Sequence, residues 1–594
     1  MFKESKKYLR NIVRKILPRH LLANLNSTNL SSGQKIPGYI EWIEYSLIGH
    51  VNEFVDQNRL LESSFVKIMN KTFGTTRFNL LVKKYIADYL RTLFFLFGSF
   101  PYATPSHKLL ILEDNPVNRF AYKKHMIKFA IPLNIRWVSQ QSLAIRFFNI
   151  ILRIPVTLYH SLKNGIKFSS KVKKHKIMRE ALYGLYGVNG YYFHDDFIVD
   201  GEKIKEEDLL LFSRGIPTTS FRLEGYLHAK SSPYVHFTLG ALPIGFKQFI
   251  LRIIPKYIVL SRYALFSIST SPNYSLFYSI FLYFIILALP YEKVFSHYRV
   301  NAELGHNYHT AMHIPESIIC QNYAAKYYLM HWSDLSAATG IYLCSFLSCD
   351  KYLLWGKIHA VAKQDDNSIF YPTGYTFKKF IKGIKIDRQN ILSEMGICAK
   401  GKIISFFDEC FNYGDVLGVN GRMTPEHYVN FWNTALELAR SQKDNTIIIK
   451  PKGIARHLNL PEELRSKFLS IKENLEKLPN AHIVDDRKWS FIETIGSSDI
   501  VVTQGMFSPS TIAIICGIEG LYLDEAKHNH PFRDSFKDVL TFDSPEGLLK
   551  MIQQILKGQA HPSAAVKDNI LRDYDAYSDD NGIDRLRNIL VGAQ

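Results

Sequence analysis

Cysteine is scarce in this chain of 594 residues, which contains six cysteines and no pair in CxxC spacing. The cysteines occupy positions 320, 344, 349, 398, 410 and 516. This arrangement excludes the dense disulfide framework of a small secreted domain and indicates reduced, mostly buried thiols in a cytosolic protein. The basic N-terminus is not followed by an uninterrupted apolar segment, so we do not expect a secretory signal peptide.

Acidic residues are outnumbered by basic ones, with 54 Asp and Glu against 73 Lys and Arg, which gives a formal charge of +19. An excess of this size implies an acidic partner, which could be nucleic acid, anionic lipid or a phosphorylated substrate. The basic residues form no recognisable nucleic-acid-binding module, so we expect no nucleic acid among the partners. The apolar fraction of 47% is that of a globular protein, and the length predicts more than one domain.

Charged residues are missing from a long stretch in the middle of the chain, between Tyr263 and Tyr291. Residues 276–289 within it form a continuous apolar run, which is shorter than the ~20 residues of a membrane-spanning helix. We therefore predict a helix that is buried or dips into one leaflet rather than a transmembrane span. Four basic residues before the run would suit lipid headgroups: Lys247, Arg252, Lys256 and Arg262.

The N-terminal segment is basic and has helical periodicity. Between residues 3 and 17, apolar side chains recur at helical spacing among lysines and arginines. Such a helix either lies on an anionic membrane surface or packs against its own domain. Together with the apolar run, it predicts a cytoplasmic protein that is peripherally associated with the inner face of the cytoplasmic membrane.

Strand and helix patterns alternate regularly after residue 402. Helical segments separate short apolar runs at 402–408, 446–450, 481–486, 500–503, 520–524 and 539–542. Strict alternation of this kind predicts a parallel, doubly wound sheet. An earlier pattern at Lys108–Leu112 indicates the opening of another α/β region, and residues 197–204 predict a hairpin inserted into it.

These patterns predict an α/β fold with two Rossmann-like domains and helical N-terminal additions. The boundary near residue 386 follows a basic, polar segment, after which the alternation becomes regular. The predicted regions are a basic, mostly helical segment at 1–100, an α/β domain with insertions at 101–385, a ligand-binding α/β domain at 386–560, and C-terminal helices at 561–594.

A strand, a turn, a helix and a second strand are predicted in IVVTQGMFSPSTIAIICGIEGLYLD, residues 500–524. The turn contains what a helix N-terminus needs, with Ser508 as N-cap and Pro509 at the first helical position. The hydroxyls of Ser510 and Thr511 lie beside free backbone N–H groups. Such a site attracts anions, phosphate above all. The alternative is that these residues serve helix capping alone.

Charged residues follow the neighbouring predicted strands. Lys450-Pro451-Lys452-Gly453 follows one strand, and Asp408 and Glu409 follow another. In a parallel sheet, the carboxyl ends of the strands open onto one crevice, where ligands bind. We predict there a pocket for a phosphorylated ligand, with these binding residues: Lys450, Lys452, Gly453, Gln504, Gly505, Ser508, Ser510, Thr511 and Asp524.

Five segments carry a resemblance to a known family: FFDE (406–409), IIIKPKG (447–453), DDRKW (485–489), SDIVVTQGMFSPSTIAIICG (498–517) and GLYLD (520–524). Through them the C-terminal region resembles bacterial surface-polysaccharide proteins, particularly the polysaccharide-biosynthesis PFTS-motif family. The layout of two α/β domains with helices at the end of the chain also resembles the GT-B fold of nucleotide-sugar glycosyltransferases.

A second resemblance concerns bacterial transferases that use CMP-sugars, the sialic acid and Kdo transferases. These enzymes have a His-Pro element after one strand and a Ser-Ser or Ser-Thr element after a later one, both directed to the nucleotide. Here Lys450-Pro451-Lys452-Gly453 and Ser508-Pro509-Ser510-Thr511 stand in the corresponding order, with lysine in place of the histidine.

The resemblance implies a glycosyltransferase of surface-polysaccharide assembly, for capsule or O-antigen, that needs neither a cofactor nor a metal ion. It would transfer a sugar from a nucleotide-sugar donor, with a CMP-linked acidic sugar favoured, to a glycan or lipid-linked acceptor. Asp408 and Glu409 are then expected to contact the sugar or ribose, unless they form a solvated loop pair. Two alternative interpretations are a nucleotide-sugar 2-epimerase, which shares the GT-B fold, and a non-catalytic assembly or export factor at the membrane.

The catalytic base is expected from the N-terminal domain. We favour His306 and Asp195 from a larger set that also contains Glu113, Asp114, Asp196 and Glu303. His306, His309 and His313 would share one helical face, but no HExxH motif accompanies them, so a zinc site is not expected. A UDP-sugar would usually require a ribose-binding carboxylate, and Glu519, Asp524 and Glu525 are the candidates for that role.

Overall fold

The computed structural model describes residues 39–99, 110–133, 135–138, 173–180, 197–212, 235–236, 249–306, 311–331, 345–360, 369–409, 423–452, 457–458, 460–485, 489–528, 530 and 533–592. These residues form two α/β domains, each built on a parallel sheet, and helices that precede the first sheet. The predicted α/β fold with two Rossmann-like domains is therefore confirmed.

The N-terminal half contains the strands β1 (Leu110–Glu113), β2 (Ile135–Val138), β3 (Lys173–Glu180), β4 (Leu209–Phe212), β5 (Val235–His236), β6 (Tyr298–Gly305), β7 (Lys326–Met330), β8 (Lys351–Leu354) and β9 (Ile369–Pro372). Its helices are α1 (Tyr39–Gln57), α2 (Ser64–Phe73), α3 (Arg77–Ser99), α4 (Pro116–Phe129), α5 (Ile254–Ser269), α6 (Tyr274–His297) and α7 (His313–Asn322). A one-turn π-helix, Phe249–Ile253, leads directly into α5.

Seven of these strands form one parallel sheet in the order β5-β4-β3-β6-β7-β8-β9. β1 and β2 pair with each other in a separate parallel ribbon. The predicted strand at Lys108–Leu112 and the helix after it are therefore present, but the strand pairs with β2 and does not join the seven-stranded sheet. Residues 197–204 are also not the predicted hairpin, because they form a turn in which Asp200 Oδ1 accepts the N–H groups of Lys203 and Ile204 at 2.9 and 3.0 Å.

The apolar run at 276–289 lies within α6, which is part of the hydrophobic core. Phe281 and Phe284 are fully buried and meet Phe65 and Phe78 with ring centroids 5.9 and 5.6 Å apart. By length and composition Tyr274–Glu292 could cross a membrane, but 61% of this window is buried inside the protein. Of the two alternatives that the sequence leaves for this helix, the structure shows the buried one.

The C-terminal half contains the strands β10 (Ile403–Phe407), β11 (Thr446–Lys450), β12 (Ala481–Ile483), β13 (Ile500–Gln504), β14 (Glu519–Leu523) and β15 (Thr541–Phe542). Its helices are α8 (Lys378–Ile386), α9 (Arg388–Glu394), α10 (Pro425–Ser441), α11 (Glu462–Glu476), α12 (Phe491–Gly496), α13 (Ser508–Ile515), α14 (Pro545–Leu556), α15 (Pro562–Tyr574) and α16 (Gly582–Val591). The strands form a parallel sheet in the order β12-β11-β10-β13-β14-β15. β10, β11 and β13 are buried along their whole length, which explains their continuous apolar sequences.

The last two helices return to the N-terminal domain. Arg587 on α16 donates to the backbone carbonyls of Phe197 and Ile198 at 3.0 and 3.1 Å. Directly after α15, buried Asp575 accepts the backbone N–H of Tyr375, which follows β9, at 3.1 Å. The end of the chain therefore joins the two α/β domains, which is the layout that the GT-B resemblance predicts.

Candidate active site

The four interior strands of the C-terminal sheet end side by side at its carboxyl edge. Their order is β11-β10-β13-β14, and Phe407 at the end of β10 pairs with Lys450 on one side and Thr503 on the other. The segments that follow these strands therefore line one crevice. They bring together most of the predicted binding residues: Asp408, Glu409, Lys450, Lys452, Gln504, Gly505 and Asp524.

Asp408 holds the loop that follows β11. Its Oδ1 accepts the backbone N–H of Lys452 at 2.5 Å, and its Oδ2 accepts the indole N–H of Trp432 at 3.1 Å. The side chain is buried. Asp408 therefore positions Lys452 from within the fold, in place of the direct contact to a sugar or ribose that the sequence suggests.

Lys452 extends from this loop to Glu409, with which it forms an ion pair between a half-exposed ammonium group and a buried carboxylate. The backbone N–H of Glu409 donates to Gln504 Oε1 at 3.0 Å. Residues after β10, β11 and β13 are thus linked through one chain of contacts. Gly453, the remaining predicted residue of this loop, lies outside the described residues.

Lys450 places a second positive charge at the end of β11, and it is more deeply buried than Lys452. Its Nζ donates to the carbonyl of Pro451 at 3.2 Å. The Lys450 charge also acts on Glu493, whose carboxylate accepts the backbone N–H of Ser490 at 3.0 Å at the start of α12. Burial raises the pKa of Glu493 above its ordinary value, although the Lys450 charge and the hydrogen bond from Ser490 act to lower it.

Gln504, the last residue of β13, presents an unpartnered amide nitrogen. Its side chain is 2% exposed, and its Oε1 is occupied by the N–H of Glu409. Its Nε2 has no hydrogen-bond partner among the described residues. A buried donor without a partner costs about 1–3 kcal/mol, so a ligand that supplied an acceptor to this nitrogen would gain affinity.

A second unpartnered nitrogen belongs to His528, in the loop after β14. His528 Nδ1 lies 2.5 Å from Asp524 Oδ1, and Arg533 Nε donates to Oδ2 of the same carboxylate at 3.1 Å. His528 Nε2 is buried and has no partner within the described part of the chain. This nitrogen can accept a hydrogen bond from a hydroxyl group or, when it is protonated, donate one to a phosphate oxygen.

The carboxylate of Asp524 is the centre of this network and is fully buried. Burial alone would raise the pKa of Asp524, but the charge and hydrogen bonds of His528 and the charge of Arg533 outweigh it and hold that pKa below its usual range. Asp524 therefore orients the His528 ring and is itself occupied, so it is not free to bind a ribose.

Gly505 allows His528 to approach the end of β13. Its φ of 74° lies in the left-handed region, and its N–H donates to the Leu523 carbonyl at 2.7 Å. A Cβ at this position would lie 2.8 Å from Cε1 of the His528 ring. A side chain here would therefore displace the imidazole, and glycine meets both requirements.

The helix after β13 begins at Ser508, one residue earlier than predicted. Its N-cap is Phe507, without a side-chain cap, so Ser508 and Pro509 occupy the first two helical positions. The prediction of Ser508 as the N-cap is wrong. Ser508 is half-buried at the start of α13, where its backbone N–H belongs to the first turn.

The hydroxyls of Ser510 and Thr511 fasten α13 to the sheet. Ser510 Oγ donates to the Leu521 carbonyl at 2.6 Å, and Thr511 Oγ1 lies 2.8 Å from the Tyr522 hydroxyl. Both residues are buried. The prediction that their side chains bind an anion is therefore wrong, because these hydroxyls bond within the fold.

Two further acidic residues were candidates for a ribose contact. Glu519 stands at the first position of β14, at the opposite edge of the sheet, where it accepts the N–H of Ser563 at 3.0 Å. Glu525 is the second residue after β14 and accepts from Asn430 of α10 at 3.2 Å. Burial raises the pKa of Glu525. Glu525 is thus the acidic candidate that lies at the carboxyl edge and remains partly exposed.

The N-terminal candidates for the catalytic base fall in three different settings. His306 follows β6, a central strand of the seven-stranded sheet, and is half-buried at its carboxyl edge. Glu303 lies within β6 and accepts from Cys320 Sγ at 3.0 Å, and exposed Asp114 pairs with Arg119 at 2.7 Å beside β1. Asp195, Asp196 and the side chain of Glu113 lie outside what the structure describes.

The histidines near His306 do not form a metal site in the described residues, where no group of three or more His, Cys, Asp and Glu residues could hold a metal ion. His313 is buried at the start of α7, and its Nε2 accepts the N–H of Ser348 at 3.3 Å. His309 lies outside the described part of the chain.

The strand and helix patterns of the sequence do not single out His528 or Arg533. One usable signal is present, because His528 stands four residues after Asp524, which directly follows a buried strand. A histidine and a carboxylate at a strand's carboxyl end are candidates for a polar site. The contribution of Arg533 depends on the loop conformation, for which the sequence contains no comparable signal.

Comparison with known proteins finds similarity in solved structures alone. No family model matches the sequence, and no curated protein matches it. The chain is similar to the wall teichoic acid polymerase TagF, with 9% identity over 75% of this chain and 96% of that one and a TM-score of 0.42. It is also similar to a putative UDP-N-acetylglucosamine 2-epimerase from Listeria monocytogenes, with 13% identity over 71% and 98% of the chains and a TM-score of 0.41.

A third similar structure is MurG from Acinetobacter baumannii, with 11% identity over 70% of this chain and 99% of that one and a TM-score of 0.34. All three TM-scores lie below 0.5. The function proposed below therefore rests on the residues of the crevice.

Proposed function

We propose that the protein is a glycosyltransferase of bacterial surface-polysaccharide biosynthesis that binds a nucleotide-sugar donor at the carboxyl edge of its C-terminal sheet. The observation that carries this proposal is a pair of buried nitrogens, Gln504 Nε2 and His528 Nε2, that have no partner among the described residues and lie at the end of β13 and after its neighbouring strand β14. A donor rich in phosphate, hydroxyl and carbonyl oxygens would satisfy both nitrogens.

The charges at the crevice favour a donor with one phosphate. Lys452 pairs with Glu409, and Arg533 pairs with Asp524. Lys450, whose charge also acts on Glu493, and the backbone N–H groups at the start of α13 add positive charge at the same edge. A CMP-linked acidic sugar, with one phosphodiester and a separate carboxylate, suits this supply better than a diphosphate.

In the proposed reaction, an acceptor hydroxyl attacks the anomeric carbon of the donor sugar, and the bond from that carbon to the phosphate oxygen breaks. Lys450, Lys452 and the first turn of α13 would stabilise the charge that develops on the phosphate. The acceptor's proton passes to a base, for which we propose His306 at the carboxyl edge of β6. This scheme assigns no role to a metal ion or cofactor, and the acceptor is a glycan or a lipid-linked glycan.

Calorimetric titration of nucleotides tests the site. Gln504→Glu keeps the acceptor for the Glu409 N–H but replaces the unpartnered donor, and His528→Gln removes the imidazole. We expect each variant to raise the Kd for CMP at least about tenfold, because a hydrogen bond to a phosphate or base is lost. Gln553→Glu and His561→Gln, both exposed, are the matched controls and should leave the Kd within about twofold.

The outcomes separate the alternatives. Tighter binding of UDP than of CMP would replace the proposed donor and leave the site in place. Failure to bind any nucleotide would favour the non-catalytic assembly or export factor. Conversion of a nucleotide-sugar to its 2-epimer without an acceptor, followed by NMR, would identify an epimerase instead of a transferase.

A further inference from the structure

The most exposed apolar surface in the described part of the chain lies on α5 and the π-helical turn before it. Five large apolar side chains there are 53 to 73% exposed: Leu251, Ile258, Val259, Tyr263 and Phe266. Other exposed apolar residues, such as Ile127 and Ile386, lie on separate elements. A cluster of this kind marks an interaction site, whereas single exposed residues are ordinary.

These five residues share one side of the helix. Leu251 and Ile258 are seven residues apart, Val259 and Tyr263 four, and Tyr263 and Phe266 three. These are spacings of a single helical face, which the adjacent pair Ile258 and Val259 widens. The opposite face of α5 is buried in the core through Tyr257, Leu260, Ala264 and Ile268. We call the exposed side, with Arg252 and Arg262, the α5 face. It is an unpartnered apolar face on a helix that is firmly packed on its other side.

The charges on the α5 face are of one sign. Arg252 and Arg262 are exposed at the apolar cluster, and the sequence from 249 to 274 contains no Asp or Glu. Lys256, the third basic residue of the segment, is largely turned inward and pairs with buried Glu292 at 2.9 Å. The α5 face therefore combines apolar side chains with two arginines that no neighbouring acid on the same segment offsets.

We propose that the α5 face docks the protein onto an anionic phospholipid leaflet, with the helix parallel to the membrane plane. Apolar side chains such as Phe266 and Val259 would enter the boundary between headgroups and acyl chains, and Tyr263 would lie at the headgroup level. Arg252 and Arg262 would contact anionic headgroups. This docking goes beyond the transferase activity proposed above and does not depend on it.

The same charges argue against a second copy of this chain as the occupant. A symmetric dimer through the α5 face would bring each arginine close to the arginines of the other copy without an acidic partner on the segment. Lipid phosphates supply the missing negative charge. The proposal also moves the predicted membrane contact from the buried helix α6 to its exposed neighbour α5.

Flotation of the full-length protein with phosphatidylcholine vesicles, with or without phosphatidylglycerol, tests the docking. Val259→Ser/Phe266→Ser should lower partitioning into the anionic vesicles at least about tenfold, because two apolar side chains no longer insert. Ile127→Ser/Ile386→Ser, at two exposed positions on other helices, is the matched control and should stay within about twofold.

A second pair of variants tests the charge. Arg252→Glu/Arg262→Glu should abolish the preference for phosphatidylglycerol, whereas Lys385→Glu/Lys443→Glu, at exposed positions of the C-terminal domain, should retain it. Unchanged thermal unfolding and nucleotide affinity in every variant would show that the fold and the crevice are intact.

Two results would overturn the proposal. One is unchanged vesicle binding by Val259→Ser/Phe266→Ser, which would assign the binding to another part of the chain, such as residues 3–17. The other is a dimer in sedimentation equilibrium that binds no vesicles and that Val259→Ser/Phe266→Ser dissociates, which would make the α5 face an interface between copies.

Discussion

Two buried polar networks, one in each domain, are completed to different degrees. In the network on β6, β7 and α7 of the N-terminal domain, the groups bond to one another, since Glu316 accepts the Tyr327 hydroxyl at 2.9 Å and Glu303 accepts from Cys320 at 3.0 Å. In the C-terminal domain, Gln504 and His528 each keep one buried nitrogen unpartnered within the described residues. A satisfied network stabilises a core, whereas an incomplete one at a strand's end indicates a ligand.

The pKa shifts of groups in these two networks also differ. Burial, and then the nearby carboxylates, raise the pKa of Cys320 and of Tyr327 well above their ordinary values, so both groups stay protonated and act as donors. Asp524 in the C-terminal domain has a lowered pKa and stays ionised. The N-terminal carboxylates therefore support the core, and the C-terminal carboxylate prepares an imidazole for a ligand.

The largest effect is expected from Asp524→Ala. Removing this carboxylate leaves His528 and Arg533 without their buried partner, so the free energy of unfolding should fall by about 3–5 kcal/mol. Asp534→Ala is the matched control, because Asp534 accepts from the same Arg533 at 3.0 Å but is 91% exposed, and it should cost less than about 0.5 kcal/mol. Urea unfolding followed by circular dichroism measures both, and equal losses would contradict the buried network.

The pH dependence of unfolding provides a second measure of that network. Because the folded pKa of Asp524 lies below its unfolded value of about 3.9, its contribution is fully present above that pH and is lost as the pH falls through the folded pKa. The difference in stability between wild type and Asp524→Ala should therefore shrink below about pH 4. A difference that stays constant down to pH 2 would contradict the lowered pKa.

An intermediate effect is expected from Ser510→Ala. The lost bond to the Leu521 carbonyl should lower the free energy of unfolding by about 1–2 kcal/mol, while the Kd for CMP stays within about twofold. Paired with Gln504→Glu, this variant separates a residue that fastens the helix from one that faces the ligand. A tenfold rise in the Kd for CMP in Ser510→Ala would show that Ser510 contributes to ligand binding after all.

The smallest effect is expected from Tyr327→Phe in the N-terminal core. The variant removes a hydroxyl that donates to Glu316, which should cost about 1 kcal/mol in thermal or urea unfolding. Nucleotide affinity should be unchanged, because Tyr327 lies within β7 and belongs to the satisfied network. Loss of nucleotide binding in a folded Tyr327→Phe protein would contradict the distinction between the two networks.

The sequence predicts the C-terminal sheet well because its strands are short, apolar and regularly spaced, as the strand at 446–450 illustrates. It predicts β1 less well, since a lone apolar run does not reveal which sheet it joins. The sequence also does not show in which direction a hydroxyl points. Ser508 and Ser510 stand two residues apart on one helical turn, and only packing decides that Ser510 bonds the sheet. The solvent exposure of α5 beside the buried α6 also depends on tertiary packing, because both helices are apolar in sequence.

The return of the last two helices has a consequence for biosynthesis. Gly356 of the N-terminal domain lies so close to α15 that a Cβ there would be 2.4 Å from the Asp573 carbonyl, and Gly582 meets the Tyr375 carbonyl in the same way. These contacts form only after α15 and α16 have left the ribosome. The N-terminal domain is therefore completed after most of the C-terminal domain has been synthesised, and a nascent chain that stops before α15 should expose the surface that chaperones recognise.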